Sequence, residues 1–373
     1  MDILLVIFSL SFVGGAERVL TVMANYWAEK GWKVTVATYD HGENQPFYDL
    51  SPQVKHEPLY LASESSNPFS RIINNYQRVK NLKKYFNKKA PDVIISFVAK
   101  RNIITLLSTL KTGIPVIVSE RKNPALSSNG LISRCLRKWL YPKASGVVCQ
   151  TKAMMEYYLP DLKHNAVVIP NPVLKDHLDG SSPEILLPDG KLLFAIGSMA
   201  SKEKVKQKGF DMLIPVFNDL ALKHNNWNLV ILGDGPERDH LKQMVKNYNL
   251  EDRVFLPGNV KNIHSVLNQG DLFVLSSRYE GFPNALVEAM SCGLPAVSFD
   301  CPTGPGEIIR NGVDGYLVKT EDLDTMQIML GKLMEDQVLR KSMGEKAREV
   351  LDRFNIDSVM EEWEKLINRS VTG

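Results

Sequence analysis

Glu280 and Glu288 stand with seven residues between them in the run Tyr279–Met290 (Y-E-G-F-P-N-A-L-V-E-A-M), and a helix start falls between the two acids. The apolar run Leu272–Leu275 suits a buried strand of a parallel sheet, Gly281 permits a sharp turn, Pro283 fits a first helical position, and Gly293 then Pro295 stop the helix. The spacing therefore predicts strand, tight loop and short helix, with Glu280 in the loop and Glu288 roughly two turns along. A helix N-terminus attracts phosphate. Carboxylates on both sides of such an anion site suit a ligand with hydroxyls on each side of a diphosphate, as in a nucleotide sugar, one acid taking the ribose and the other the sugar. The plain alternative is a solvated loop acid and a helix surface charge.

These acids need elements to hold them. Strands and helices alternate through the first half: Ile3–Phe8, a helix over 15–30, Lys33–Thr38, a helix over 71–89, Val93–Phe97, Ile114–Val118 and Val147–Cys149. A second series follows from Leu192–Ile196 to Tyr316–Val318. Strands this apolar alternating with helices read as an α/β fold of two doubly wound parallel sheets. The turn-forming run Asp179-Gly180-Ser181-Ser182-Pro183 is the candidate linker, giving domains at residues 1–180 and 181–353. The first strand leads into Gly14-Gly15, whose backbone amides at a helix start suit a phosphate or a sugar, or whose glycines merely let the loop turn.

The segment E-G-F-P-N-A-L-V-E-A-M-S-C-G-L-P-A-V resembles the signature of glycosyltransferase family 4, retaining enzymes of the GT-B fold, in the form seen in bacterial transferases that build surface polysaccharides. The resemblance covers essentially the whole chain. It implies two Rossmann-like domains facing a central cleft, the first on the acceptor side and the second binding the donor, with the C-terminal helix at 354–373 packing back on the first. It implies that Glu280 positions the donor sugar as the catalytic residue, and that Gly14, Gly15, Lys208, Val260, Gly281, Phe282, Pro283, Asn284 and Glu288 bind the donor. Where the family carries an arginine that clamps the diphosphate, this chain has Ser198, which has no bidentate fork. Lys202, Lys204 and Lys206 nearby offer replacement charge or form a solvated lysine loop. The family's histidine after a first-domain strand is also missing, and Glu120 and Arg121 stand in that run without an assigned role.

Cofactors and metals are not expected. The four cysteines lack C-x-x-C spacing, and Asp322-Leu323-Asp324 reads as a helix start, where acids suit the dipole. The glycine fingerprint of a dinucleotide oxidoreductase is absent, and a nucleic-acid partner is disfavoured by a formal net charge of +3 and few aromatics among the basic residues. Charge is nonetheless uneven, because 16 Lys and Arg between Arg71 and Lys143 face only Asp92 and Glu120. Residues 69–86 have the spacing of a basic amphipathic helix, and Arg134, Arg137, Lys138, Trp139, Tyr141 and Lys143 form a second cluster, which together suggest an anionic membrane surface as partner. No apolar run is long enough to span a bilayer. The expected function is transfer of a hexose or N-acetylhexosamine from a UDP-linked donor to a glycan or lipid-linked glycan, by a cytoplasmic enzyme peripheral on the inner face of the membrane. The alternative is a non-catalytic GT-B partner subunit.

Overall fold

The structure, a computed structural model, describes residues 1–62, 67–121, 130–158, 162, 165–174 and 185–372. The chain divides into two units, Met1–Asn171 with Asp357–Gly373, and Pro172–Ile356. The candidate linker at Asp179–Pro183 lies outside the described residues.

Among the described residues, the first unit carries a seven-stranded sheet, β1 (Asp2–Ile7), β2 (Lys33–Thr38), β3 (Lys55–Pro58), β4 (Val93–Phe97), β5 (Val116–Ser119), β6 (Gly146–Cys149) and β7 (Ala166–Val168), in the order β3-β2-β1-β4-β5-β6-β7. The second unit carries six strands, β8 (Lys191–Ile196), β9 (Trp227–Leu232), β10 (Val254–Gly258), β11 (Leu272–Leu275), β12 (Ala296–Asp300) and β13 (Gly315–Lys319), in the order β10-β9-β8-β11-β12-β13. Every pairing is parallel. Helices cover both faces of such sheets, so the central strands are apolar without alternation. Ile3, Leu4, Leu5 and Val6 of β1 and Phe273 and Val274 of β11 are fully buried. In each sheet the order reverses beside the first strand, between β1 and β4 and between β8 and β11, which is the Rossmann-like pattern.

Two strands escaped the sequence reading. β3 (K-H-E-P) and β7 (A-V-V) are the outer strands of the first sheet, only half-buried along most of their length; β3 is polar in sequence, and β7 is only three residues long. The expected C-terminal helix at 354–373 is a single helix, preceded by a separate short one. A short helix Val350–Arg353 ends at Phe354, and a new helix runs Ile356–Thr372. Phe354 packs edge-to-face on Phe282 of the second unit (5.4 Å), whereas Trp363 meets Trp27 of the first unit edge-to-face (6.5 Å) and Glu364 pairs with Lys30 (2.8 Å). The interruption falls where the chain leaves one core for the other.

Trp27 and Trp363 are 0% and 1% exposed. Trp363→Ala is therefore expected to destabilise the first unit by about 3–5 kcal/mol, read as a lower midpoint in chemical denaturation, whereas truncation of the exposed Val371 should cost little.

Candidate active site

The second unit gathers its strand-end loops at the carboxyl edge of the sheet, where open α/β sheets bind ligands. After β8 the chain runs through Gly197-Ser198-Met199 into the helix Lys202–Lys208 and then Gly209. After β11 it runs through Ser276–Pro283 into the helix Asn284–Ser291. These segments are tied together. Ser276 Oγ donates to the Lys208 carbonyl oxygen (2.8 Å), Gln207 Nε2 donates to the Tyr279 carbonyl (3.1 Å), and the Arg278 amide donates to the Gln207 carbonyl (2.8 Å). Arg278 adds a fork onto Asp211 (2.9 and 3.0 Å), a bond to Glu321 (2.5 Å) and one to the Lys206 carbonyl (2.6 Å).

The result brings Lys208 Nζ within 2.7 Å of Glu280 Oε1, with side-chain exposures of 19% and 8%. Gly209 permits the approach. Its φ is +71°, and an added Cβ would stand 1.9 Å from the Ser276 carbonyl oxygen. Loop 301–304 supports the pair from the other side: Thr303 Oγ1 donates to the Glu280 carbonyl oxygen, and Gly304 packs against Pro283 and Gly281.

Glu288 lies on the helix Asn284–Ser291 and is buried. Val260 and Phe282 share one apolar cluster with Leu286 and Val287 of that helix. Lys208, Val260, Gly281, Phe282, Pro283, Asn284, Glu280 and Glu288 thus belong to a single unit. Gly14 and Gly15 lie in the other, where Gly14 precedes and Gly15 begins the helix Gly15–Glu29 after β1. Helix Asn284–Ser291 begins one residue later than the sequence reading placed it, with Pro283 as its N-cap.

One other expectation, the lysine loop, needs revision. The segment carrying Lys202 and Lys206 is a helix rather than a loop, and both side chains are exposed. The Lys204 side chain lies outside the described residues. Ser198 Oγ accepts a bond from the Ala200 amide (3.3 Å). Asp322 of the D-x-D run caps the helix Leu323–Glu335 by accepting from the Thr325 amide (3.1 Å). Sequence alone did not single out Ser276, Arg278 or Thr303. Each acts through a partner distant in the chain, so no local spacing marks it.

The fold and these strand-end loops define the GT-B class. Residues 13–176 match the family described as Glycosyltransferase Family 4, and residues 198–350 the one described as Glycosyl transferases group 1. The two matched stretches resemble family 4 in the first unit and group 1 in the second, and the chain is a glycosyltransferase. It is 26% identical over 369 residues to an uncharacterised glycosyltransferase of Haemophilus influenzae, covering 97% of this chain and 98% of that one. It is also 26% identical over 360 residues to the GalNAc-alpha-(1->4)-GalNAc-alpha-(1->3)-diNAcBac-PP-undecaprenol alpha-1,4-N-acetyl-D-galactosaminyltransferase of Campylobacter jejuni, covering 95% of each. In structure it is similar to S. aureus TarM, crystallised with fondaparinux, alpha-GlcNAc-glycerol and UDP, with a TM-score of 0.79 at 18% identity over 99% of this chain and 100% of that one.

Gly209→Ala should collapse this arrangement, since both the positive φ and the Ser276 carbonyl oppose a side chain, and a loss of several kcal/mol is expected. Gly312 also has a positive φ (+78°) but nothing within 4 Å of an added Cβ, so Gly312→Ala should cost only about 1–2 kcal/mol. Thermal unfolding of the two variants side by side checks the ordering.

Proposed function

We propose that the chain is a retaining transferase that moves a hexose or N-acetylhexosamine from UDP to a glycan or lipid-linked glycan in the assembly of a surface polysaccharide, without a metal ion. The observation that carries this reading is the pair of half-buried Lys208 with buried Glu280 at the strand ends, with buried Glu288 on the helix that starts beside it. Lys208 and the start of the helix Asn284–Ser291 would meet the diphosphate, Glu288 the ribose hydroxyls, and Glu280 the sugar. In the free protein each charge of the pair satisfies the other, and a donor offers each a replacement, phosphate for Lys208 and hydroxyls for Glu280. The name of the Campylobacter relative supports a lipid-linked acceptor, and the UDP bound by TarM supports the base. A non-catalytic partner subunit is the weaker reading, because such a subunit has no use for a buried acid and a half-buried lysine held together at the site.

A thermal-shift panel of nucleoside diphosphates and their sugars tests the donor, since a ligand that binds only the folded state stabilises it. UDP is expected to stabilise most. Glu288→Ala should weaken UDP binding, whereas Glu280→Gln should lower turnover far more than nucleotide affinity, and turnover should survive EDTA. Wild-type UDP affinity in Glu288→Ala would remove that residue from the site.

We further propose that the first unit rests on an anionic membrane surface. No helix of the described residues is long and apolar enough to cross a membrane. The helix Pro68–Lys89 buries Leu82 and Phe86 in its second half but exposes Phe69 (74%), Ile72 (69%) and Tyr76 (69%) in its first. The helix Leu131–Leu140 exposes Leu131 (77%), Ile132 (78%) and Trp139 (52%), with Arg134 and Lys138 also exposed. Both pack against the same helix, Ala99–Thr109. Arg137 and Tyr141, counted with the second cluster from sequence, are buried and do not contribute to it. Exposed apolar residues among basic ones suit an interfacial helix. Sedimentation with anionic vesicles should capture the protein at low salt and release it at high salt. Charge reversal at Arg78, Lys80, Lys83 and Lys84 should abolish capture and spare UDP affinity. Equal sedimentation with neutral vesicles would count against the surface.

A further inference from the structure

At the carboxyl edge of the first sheet two neighbouring residues after β5 carry opposite charges with opposite fates. Glu120 is buried, but Tyr141 Oη and Asn102 Nδ2 donate to its carboxylate and Arg137 lies near enough to act on it. Arg121 has no such compensation. Its guanidinium stacks on Phe97 at 4.6 Å, and Nη1 donates to Asn171 Oδ1. Nε and Nη2 are shut from solvent and have no hydrogen-bond partner, and no ion pair reaches the side chain among the described residues. Burial pulls its pKa down, with no carboxylate offsetting it. A guanidinium whose nitrogens are shut from solvent without a counter-ion is destabilising, and such a cost is kept where a ligand repays it.

The free atoms also have a shape. Nε and Nη2 form the side of the guanidinium that delivers two parallel N–H bonds, the fork that fits two oxygens of a phosphate or carboxylate. Beside it Gln150, at the end of β6, donates Nε2 to the same Asn171 oxygen (2.7 Å) and leaves a buried Oε1 unpartnered. Val98, directly after the Phe97 on which Arg121 stacks, holds φ +74° although it is β-branched. Strain of that kind persists where the surrounding structure imposes it, and it gathers at functional sites.

We infer that Arg121, seated by Phe97, Asn171 and Gln150, is a subsite for a phosphate or diphosphate group on the acceptor. The inference rests on the transferase reading above but uses none of the donor residues. Lys208 and Glu280 lie in the other unit and serve the other substrate.

Isothermal titration decides it. Into full-length protein saturated with UDP, farnesyl diphosphate and, separately, glycerol 3-phosphate are titrated, with glucuronate as a carboxylate control. Arg121→Met should weaken binding of the phosphate probe roughly tenfold or more while leaving UDP affinity within about twofold, and Arg121→Lys, which keeps charge but loses the fork, should fall between. The ligand-free Met variant should unfold no earlier than wild type, because it removes an unpaired buried charge. Binding of farnesyl diphosphate alone assigns a lipid-type diphosphate, and comparable binding of glycerol 3-phosphate assigns a phosphate monoester. Undiminished binding by Arg121→Met, no binding of either phosphate by wild type, or tighter binding of glucuronate overturns the proposal. The titrations are repeated without UDP, so that a protein failing to bind UDP would sink the donor reading while the phosphate probes still test Arg121.

Discussion

The arrangement of the second unit depends on one stitched junction, where the segment ending the helix Lys202–Lys208 is fastened to the loop after β11. Ser276, Gln207 and Arg278 supply the bonds, and Gly209 supplies the close backbone approach. Lys208 and Glu280 are 72 residues apart in sequence, so nothing local brings them together. Without the junction, the lysine would extend into water and the glutamate would swing with its loop. Thr303 and Gly304 close the opposite side, so the loop that carries Glu280 is gripped by two other strand-end segments.

A buried ion pair is weak evidence for stability, because desolvation of two charges cancels much of their attraction. Removing one partner is a different matter and costs about 3–5 kcal/mol, since the other is left uncompensated. That asymmetry explains how a site can be rigid and yet exchangeable. A ligand that brings both a negative group and hydroxyls relieves each charge as it separates them, whereas a ligand that brings only one leaves a charge stranded. Selection of a complete donor over a fragment would then be built into the pair itself.

How much of this was legible in the sequence follows from what each feature depends on. The doubly wound sheets were readable because central parallel strands must be apolar on both faces, as β1, β4, β9 and β11 are. The edge strand β3 is polar because one side has no neighbour, so its existence could be learned only from its pairing with β2. The placement of Glu280 in a loop and of Glu288 on the helix after it was legible through local spacing around a helix start. The Lys208–Glu280 contact was not, being purely tertiary, and neither was the role of Thr303. The amphipathic stripe on the helix Pro68–Lys89 was visible in sequence, but periodicity cannot say whether a stripe faces a core. It does so at Leu82 and Phe86 and fails to do so at Ile72 and Tyr76.

Ser198 is the departure that the junction makes intelligible. A guanidinium does stand close to the Lys208 segment, on Arg278, but it is consumed by Asp211, Glu321 and the Lys206 carbonyl. Those bonds raise its pKa, the Asp211 bond most, and they fix it as a structural cation rather than a spare one. It therefore does not replace the missing arginine. Lys202 and Lys206 point outward from the preceding helix and are solvated. On the proposed reading the diphosphate is then met by Lys208 and by the start of the helix Asn284–Ser291, a point charge and a dipole in place of a fork. Neither fixes orientation as a guanidinium does, so on that reading orientation would come from hydroxyl contacts of Glu280 and Glu288, which the burial of both carboxylates, at 7% and 8% exposure, would strengthen.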